Sequence, residues 1–299
     1  MVRAGKTSRE MLICRLIPDN VLLKIRGDFM KLSYFLSLAA AFAASVSAMA
    51  QDFQGGDYKT GIDWKEPPKA TSDAVTTPPP SDAIVLFDGQ NLDAWEGAAW
   101  NVADNVLTVN PGSGDIRTKQ KFGSVQLHLE FATPAPRTDE NGNPVDFGQG
   151  RGNSGLFFMD HYEVQILDNF DNTTYFDGQC GSIYKQVAPQ VNVCKAPGEW
   201  QSFDVIFHRP IFTVTDGQIS EVVRPATITV IQNGVLVIDN WAIKGDTYYN
   251  IPAHYNLHGD KEPIHLQDHG NPLQFRNIWV REIPDSTIVP LQSKLQHYE

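Results

Sequence analysis

The chain has 299 residues, with 24 Lys or Arg and 35 Asp or Glu, so its formal net charge is −11 at pH 7. This acidic balance argues against a ligand with a phosphate backbone, and we expect no nucleic-acid partner. It suits a protein that handles neutral molecules.

The first fifty residues have the pattern of an export signal. Met30-Lys31 gives a short charged start, residues 32–46 are apolar and rich in Ala, and Ala48-Met49-Ala50 fits a cleavage site. The apolar run is too short to be kept as a membrane span. We therefore predict an extended or misassigned start at 1–29, a signal peptide at 30–50, and a periplasmic or secreted protein whose mature chain has no membrane span.

Composition divides the remaining chain into three parts. Residues 51–81 are polar and interrupted by prolines, so they are predicted to form a disordered linker. Residues 82–285 carry the apolar pattern of one folded domain, and residues 286–299 are predicted to be a C-terminal tail. After removal of residues 1–50 the chain keeps 17 basic and 32 acidic residues, so the mature protein is more acidic still.

Short strand-like runs follow one another along the domain, and no stretch of ten or more residues has a convincing helical period. Asn233-Gly234, between two such runs, is a strong signal for a two-residue hairpin. The pattern predicts an all-β antiparallel sandwich or barrel. The predicted strands are 84–89, 106–109, 124–131, 155–159, 162–167, 201–208, 226–232, 235–239, 264–267 and 275–282.

Strict alternation between apolar and polar residues marks the run YEVQILD, residues 162–168. Tyr162, Val164 and Ile166 fall on one face of the predicted strand, and Glu163 and Gln165 fall on the other. The second face is either an ordinary solvated surface or a surface that presents a carboxylate and an amide to a ligand.

The segment PIHLQDHGNPLQFRN, residues 263–277, is also rich in groups that bind protons or ligands. Ile264 and Leu266 are expected in the core, so His265, Gln267 and, if the strand continues, His269 share the opposite face. If this strand neighbours the 162–167 strand, their polar faces form one lining.

The sequence allows two roles for each of three nearby side chains. Asp268 is a catalytic carboxylate or the cap of its own turn. Arg276 either binds a ligand or forms an ion pair with an acidic side chain. Trp200, outward with Ser202 and Asp204, stacks on a sugar ring or holds a loop.

Two cysteines, Cys180 and Cys194, remain after the leader is removed. In an oxidising compartment they form either a disulfide, which would close a loop of about 15 residues and add about 3 kcal/mol, or two free thiols. Their spacing is not a zinc signature.

Several long segments, in a fixed order, resemble the 3-keto-disaccharide hydrolase family. They are RGNSGLFF, YEVQILD, DGQCGSIYKQVAPQVN, PGEWQSFDVIFHRP, NGVLVIDN and HLQDHGNPLQFRNIWVRE, within residues 84–282. The resemblance implies a concanavalin A-like antiparallel β-sandwich, a jelly roll, with a ligand cleft on one sheet. It also implies a secreted bacterial enzyme that splits 3-keto-glycosides, which a sugar C3-dehydrogenase supplies.

This resemblance suggests a chemistry. A ketone at C3 acidifies the C2 proton, so a base can remove it and the C1 substituent can leave, with or without later addition of water. The enzyme would then be a hydrolase or a lyase. His269 is our first candidate for the base and Glu163 the second, the other being the acid or a ligand.

The remaining roles follow from the same scheme. The enolate oxygen would be stabilised by Lys185, Arg151 or Arg276, or by a divalent metal held by Glu163, Asp168 or His269. The residues suited to recognising hydroxyl groups are Asn153, Gln165, Gln267 and Tyr184, with Trp200 as a stacking platform.

Two other functions stay open. The run Glu163, Gln165, Leu167 has one carboxylate where laminarinase-type retaining glycosidases have several, which disfavours double displacement. Ordinary glycoside hydrolysis would need a distant second carboxylate such as Asp204 or Asp268. The main alternative is a non-catalytic, lectin-like carbohydrate-binding module.

Overall fold

The computed structural model describes residues 59, 61–62, 65–66, 69 and 77–285. The predicted start, signal peptide and C-terminal tail, and most of the predicted linker, lie outside the described residues. Within the described ranges, no helix has the length and hydropathy needed to cross a membrane.

The described chain is built from fifteen short strands and two 3₁₀ turns, Gly148–Gly150 and Phe176–Gly178. The strands are β1 Ile84–Phe87, β2 Trp95–Gly97, β3 Asn101–Ala103, β4 Val106–Thr108, β5 Ile116–Thr118, β6 Val125–Ala132, β7 Ser154–Phe158, β8 Tyr162–Ile166, β9 Gln201–His208, β10 Ile211–Thr215, β11 Gln218–Arg224, β12 Thr227–Gln232, β13 Val235–Ala242, β14 His265–Leu266 and β15 Gln274–Glu282.

The strands form three antiparallel sheets. The eight-stranded sheet has the order β13-β12-β9-β6-β15-β4-β3, with β1 also paired to β15. The five-stranded sheet has the order β2-β5-β14-β7-β8, and β10 pairs with β11 in a separate ribbon. Neighbours in these lists are often far apart in sequence, so the sheets depend on long-range pairing.

The two large sheets pack face to face over one apolar core. Phe158 and Tyr162 of the five-stranded sheet meet Phe207 of the eight-stranded sheet, with ring centroids 5.0 and 5.7 Å apart. Phe203, Val205 and Phe207 alternate inward along β9 and are fully buried, as their period of two predicts. The prediction of an all-β antiparallel sandwich is confirmed.

The predicted Asn233-Gly234 hairpin joins β12 and β13. Both residues have positive φ, 52° and 76°, which a two-residue turn matching the twist of the strands requires. The ribbon β10-β11 was missed by the pattern because most of its side chains are exposed on both faces.

Candidate active site

A row of side chains crosses the outer face of the five-stranded sheet. The strand register places Glu163 of β8 opposite Phe157 of β7, Phe157 opposite His265 of β14, and His265 opposite Arg117 of β5. The residues next to them along the strands, including Leu156, point into the core. The row therefore lies on the face directed away from the core.

The condition that the two polar strands are direct neighbours is not met, because β7 lies between β8 and β14. Two strand spacings separate Glu163 from His265, or about 10 Å. The two side chains still share one face, and the Phe157 ring between them stacks on the His265 ring with centroids 4.6 Å apart.

Glu163 is buried, with 5% of its surface exposed. No side chain or backbone group in the described residues forms a hydrogen bond to its carboxyl group. Burial raises the pKa of Glu163 to about 8, because the charged form loses hydration when it is taken out of water. A carboxyl group with this pKa exists in both protonation states near neutral pH.

Gly155 leaves the space that the Glu163 side chain fills. A Cβ atom at position 155 would lie 2.6 Å from Glu163 Oε1 and 2.5 Å from Phe157 Cε2. Any side chain here would displace the carboxyl group or the ring. The observed position of the Glu163 carboxyl group therefore requires a glycine at position 155.

His265 lies at the centre of a compact cluster with two carboxylates. Its Nδ1 is 2.8 Å from Asp160 and its Nε2 is 3.0 Å from Asp115, both out of line for hydrogen bonds. Arg117 Nε donates to the same Asp160 oxygen at 2.9 Å. Burial alone would raise the pKa of Asp160, but His265 and Arg117 hold it below its ordinary value.

Sequence reasoning placed His265 on this face but did not include its partners. Asp160 belongs to the β7-β8 turn and has a φ of 64°, while Asp115 precedes β5 and contacts the end of β14 by accepting from Asp268 N–H. The alternation of polar and apolar residues from His265 to Gln267 was the sequence signal that predicted the outward position of His265. The two aspartates come from distant segments whose pairing the sequence does not reveal.

A segment beyond β8 adds aromatic and cationic groups at the edge of the sheet. Ile183 bridges Val164, and Tyr184 N–H donates to the Glu163 carbonyl oxygen at 3.4 Å. The Tyr184 and Tyr175 hydroxyls are 2.7 Å apart, and Lys185 Nζ lies 3.4 Å from the centroid of the Tyr175 ring. The predicted Tyr184 and Lys185 therefore lie next to the strand that carries Glu163.

The predicted hydroxyl-binding amides are engaged with the protein. Gln165 Nε2 donates to Asn153 Oδ1 at 2.9 Å and to two backbone carbonyls, and Gln165 is 1% exposed. Asn153 Nδ2 donates to Gln149 O. Gln267 is half-buried, and its backbone N–H extends the β14 ladder to Gly155 O. Gln165 and Gln267 lie two residues beyond Glu163 and His265 along the chain, so these contacts fall beside the row.

Arg151 and Asp168 form an ion pair away from the row. Arg151 Nε donates to Asp168 Oδ2 at 2.6 Å, and Asp168 is fully buried. Burial raises the pKa of Asp168 although Arg151 opposes this shift. In the described part of the chain, no three His, Cys, Asp or Glu side chains form a group able to hold a metal ion, so the predicted set Glu163, Asp168 and His269 is not gathered.

Two further predicted residues, Asp268 and His269, lie in the turn after β14. Asp268 accepts from Gly270 N–H and Gly114 N–H at 2.9 and 3.0 Å, which is the capping role. The His269 side chain is exposed in this turn. It stays a predicted base.

Trp200, which directly precedes β9, and Arg276, on β15, lie at the other sheet. Arg276 lies on β15 and donates through Nε to Glu130 Oε2 at 2.6 Å, and its guanidinium carbon lies 4.0 Å from the centroid of the Trp200 ring. Asp204 lies on the same outer surface, 2.7 Å from His128 Nδ1. These residues do not share the face that carries Glu163.

Cys180 and Cys194 are free thiols in the structure. Gln232 Nε2 lies 3.5 Å from each sulfur atom, so the two side chains meet at one amide. The disulfide stays a prediction.

Comparison with known proteins agrees with the resemblance seen in the sequence. The chain is 24% identical over 295 residues to a 3-keto-disaccharide hydrolase of Bacteroides thetaiotaomicron, covering 83% of this chain and 98% of that protein. A crystal structure of a candidate glycosyl hydrolase from Parabacteroides distasonis ATCC 8503 is 42% identical and superposes with a TM-score of 0.63, covering 75% of this chain and 95% of that one.

Both relatives are described as hydrolases, which supports a glycosidase-type enzyme. Residues 82–281 match the model of the 3-keto-alpha-glucoside-1,2-lyase-like domain. This match spans most of the chain and the whole of the sheet face described above. The chain therefore belongs to the family of 3-keto-alpha-glucoside-1,2-lyase-like domains.

Proposed function

We propose that this protein cleaves 3-keto-glycosides, including 3-keto-disaccharides, on the outer face of the five-stranded sheet, with Glu163 as the group that exchanges protons with the substrate. The observation that carries the proposal is the buried carboxyl of Glu163, which accepts no hydrogen bond from the described residues and has a pKa of about 8. General acid-base groups work best when their pKa lies near the working pH.

The ketone explains why one carboxylate is enough to begin the reaction. With a carbonyl at C3, the C2–H bond is acidic, and the Glu163 carboxylate takes this proton while negative charge moves to O3. The C1–O bond then breaks as the charge returns, a C1=C2 double bond forms, and the departing oxygen takes a proton. Glu163, now protonated, is a donor for that oxygen if both bonds lie on the same face of the sugar.

Charge on O3 needs a cationic or hydrogen-bonding neighbour. Lys185 is the preferred candidate among the three predicted cations, because it follows Tyr184 next to the strand that carries Glu163, whereas Arg276 lies on the other sheet. The cluster of His265, Asp115 and Asp160 supports a second role, the binding of sugar hydroxyls further along the row. Water added to the double bond would make the net reaction a hydrolysis.

Two further parts of the proposal rest on the sequence and the chemistry. The substrate must come from a reaction that oxidises a sugar hydroxyl at C3, which a sugar C3-dehydrogenase performs. The signal peptide predicted at residues 30–50 supports action in the periplasm or outside the cell.

Parallel incubations of the protein with an oxidised and an unoxidised glucose disaccharide test this function. We expect cleavage of the 3-keto form alone, and a decrease in kcat/KM of about 10² to 10⁴ for Glu163→Gln, the range for removal of a general acid-base group. Glu221→Gln, on an exposed strand of the β10-β11 ribbon, is the matched control.

The outcomes separate the remaining functions. Cleavage of both disaccharides would indicate ordinary glycoside hydrolysis, and binding without cleavage would indicate a lectin-like module. Full activity of Glu163→Gln on the keto substrate would remove Glu163 from the reaction.

A further inference from the structure

A pocket lies on the outer face of the eight-stranded sheet, where β15 contains a bulge. Arg276 pairs with Glu130 of β6, but the next pair is Trp279 with His128, so β15 has one extra residue between them. Asn277, at the bulge, has a φ of 46°. Such bulges redirect side chains, and here Arg276 and Asn277 both reach Glu130.

Glu130 anchors this arrangement from below. It is 3% exposed, and its two oxygens accept from Asn277 Nδ2 at 2.8 Å and from Arg276 Nε at 2.6 Å. Burial opposes ionisation of Glu130, but His128, Asn277 and Arg276 hold its pKa at about 2. The carboxylate is therefore a fixed negative charge that orients two donors.

The outer end of Arg276 is open to the pocket. Glu130 occupies Nε, and the guanidinium plane lies over the Trp200 ring with its carbon 4.0 Å from the centroid. Neither Nη atom has a hydrogen-bond partner among the described residues. The acid and the aromatic ring fix the orientation of the guanidinium group. Its two Nη donors therefore point in a set direction before any ligand binds.

The rest of the pocket supplies an acceptor group, an amide and an apolar wall. Its volume is about 410 Å³, within the range of small-molecule sites, and its lining includes Asp88, Asn105, Val85 and Phe87. Two carboxylates against one guanidinium leave the pocket negative, and the chain has a net charge of −11. An anionic ligand is therefore disfavoured.

We propose that this pocket is a second carbohydrate site that binds a neutral sugar residue. Arg276, Asn277 and Asp88 would bind neighbouring hydroxyl groups while Val85 and Phe87 contact the apolar side of the ring. The site stands apart from the reaction proposed for Glu163, and its function is to hold a glycan against the opposite face of the molecule.

The test uses maltose and cellobiose, which are neutral disaccharides, with the full chain. Calorimetric titration is expected to show saturable binding that weakens at least tenfold in Arg276→Lys and Asp88→Ala and is retained in Glu163→Gln. Asp239→Ala, at an exposed position of β13 on the same sheet, is the control for Asp88. Crystals soaked in the disaccharide should show a sugar between Arg276 and Asp88.

Arg276→Lys could disturb folding because it changes the partner of a buried acid, so its thermal midpoint is measured in parallel. Asp88 is exposed, and its variant decides the result if Arg276→Lys unfolds. Absence of saturable binding, unchanged affinity in Asp88→Ala, or sugar density found only beside Glu163 would overturn the proposal. None of these results alters the expected loss of keto-sugar cleavage in Glu163→Gln.

Discussion

The Glu163 carboxyl imposes a pH-dependent cost on folding. Its pKa is about 8 in the folded protein, against an ordinary value of 4.5. Between these values the unfolded chain has released the proton and the folded chain has kept it, so stability falls as pH rises. The slope is about 1.4 kcal/mol for each pH unit from a single group.

We therefore expect Glu163→Gln to be about as stable as the original protein at pH 4 and clearly more stable above pH 8. Denaturant unfolding of both proteins across this pH range measures the difference. Glu221→Gln should show no such trend, because Glu221 is exposed. A constant difference between the two curves would mean that Glu163 is not held in its neutral form by burial.

Gly155 offers a way to move the carboxyl without removing it. In Gly155→Ala the new Cβ would stand 2.6 Å from Glu163 Oε1, so the carboxyl group or the Phe157 ring must shift. We expect kcat/KM to fall at least about tenfold, since misplacement by about 1 Å can cost 10²-fold. Overpacking should cost about 1–3 kcal/mol of stability.

The control for this substitution is Gly150→Ala, because a Cβ at Gly150 would meet no atom within 4 Å. Assays at a temperature where both variants are folded separate activity from stability. Unchanged kcat/KM in Gly155→Ala would contradict the assigned position of the Glu163 side chain.

At the level of elements, the β12-β13 hairpin does more than reverse the chain. Asn233 is fully buried, and its side chain accepts from Ser202 N–H at 2.9 Å and donates to Val193 O at 2.8 Å. The turn therefore ties β9 and a distant loop together. The dipeptide predicted the turn, but the two side-chain bonds depend on segments remote in sequence.

Asn233→Gly keeps the positive φ and removes these two bonds. We expect a loss of about 2–3 kcal/mol, since a buried donor and a buried acceptor lose their partner. Asn240→Gly is the control, because Asn240 also has a positive φ, 41°, but an exposed side chain. Equal unfolding midpoints for the two variants would show that the Asn233 side chain adds nothing beyond its backbone conformation.

Strand alternation explains which part of the site the sequence could predict. The period of two assigned Glu163 and His265 to outward faces, and the structure puts both on one sheet. Alternation within a strand does not give the order of strands in a sheet. The sequence therefore did not predict that β7 lies between these two strands, or that Arg276 and Trp200 lie on a separate surface. Asp115 and Asp160 join His265 only through pairings between residues distant in sequence.

The charge of the whole molecule bears on the kind of substrate it accepts. A net charge of −11 produces a field that repels anions at low salt and is screened over about 8–10 Å at physiological ionic strength. For a neutral 3-keto-disaccharide we expect kcat/KM to change less than about twofold between low salt and about 0.5 M NaCl, because no long-range attraction or repulsion acts on it.

Steady-state kinetics at several salt concentrations measure this dependence. The same series with an uncharged solute in place of the salt, at constant pH, serves as the control for general effects on the protein. A rate that increases several-fold with salt would indicate that the substrate carries negative charge, since screening relieves its repulsion by the acidic surface. The proposed neutral sugar substrate would then be incorrect, even if Glu163 remained essential.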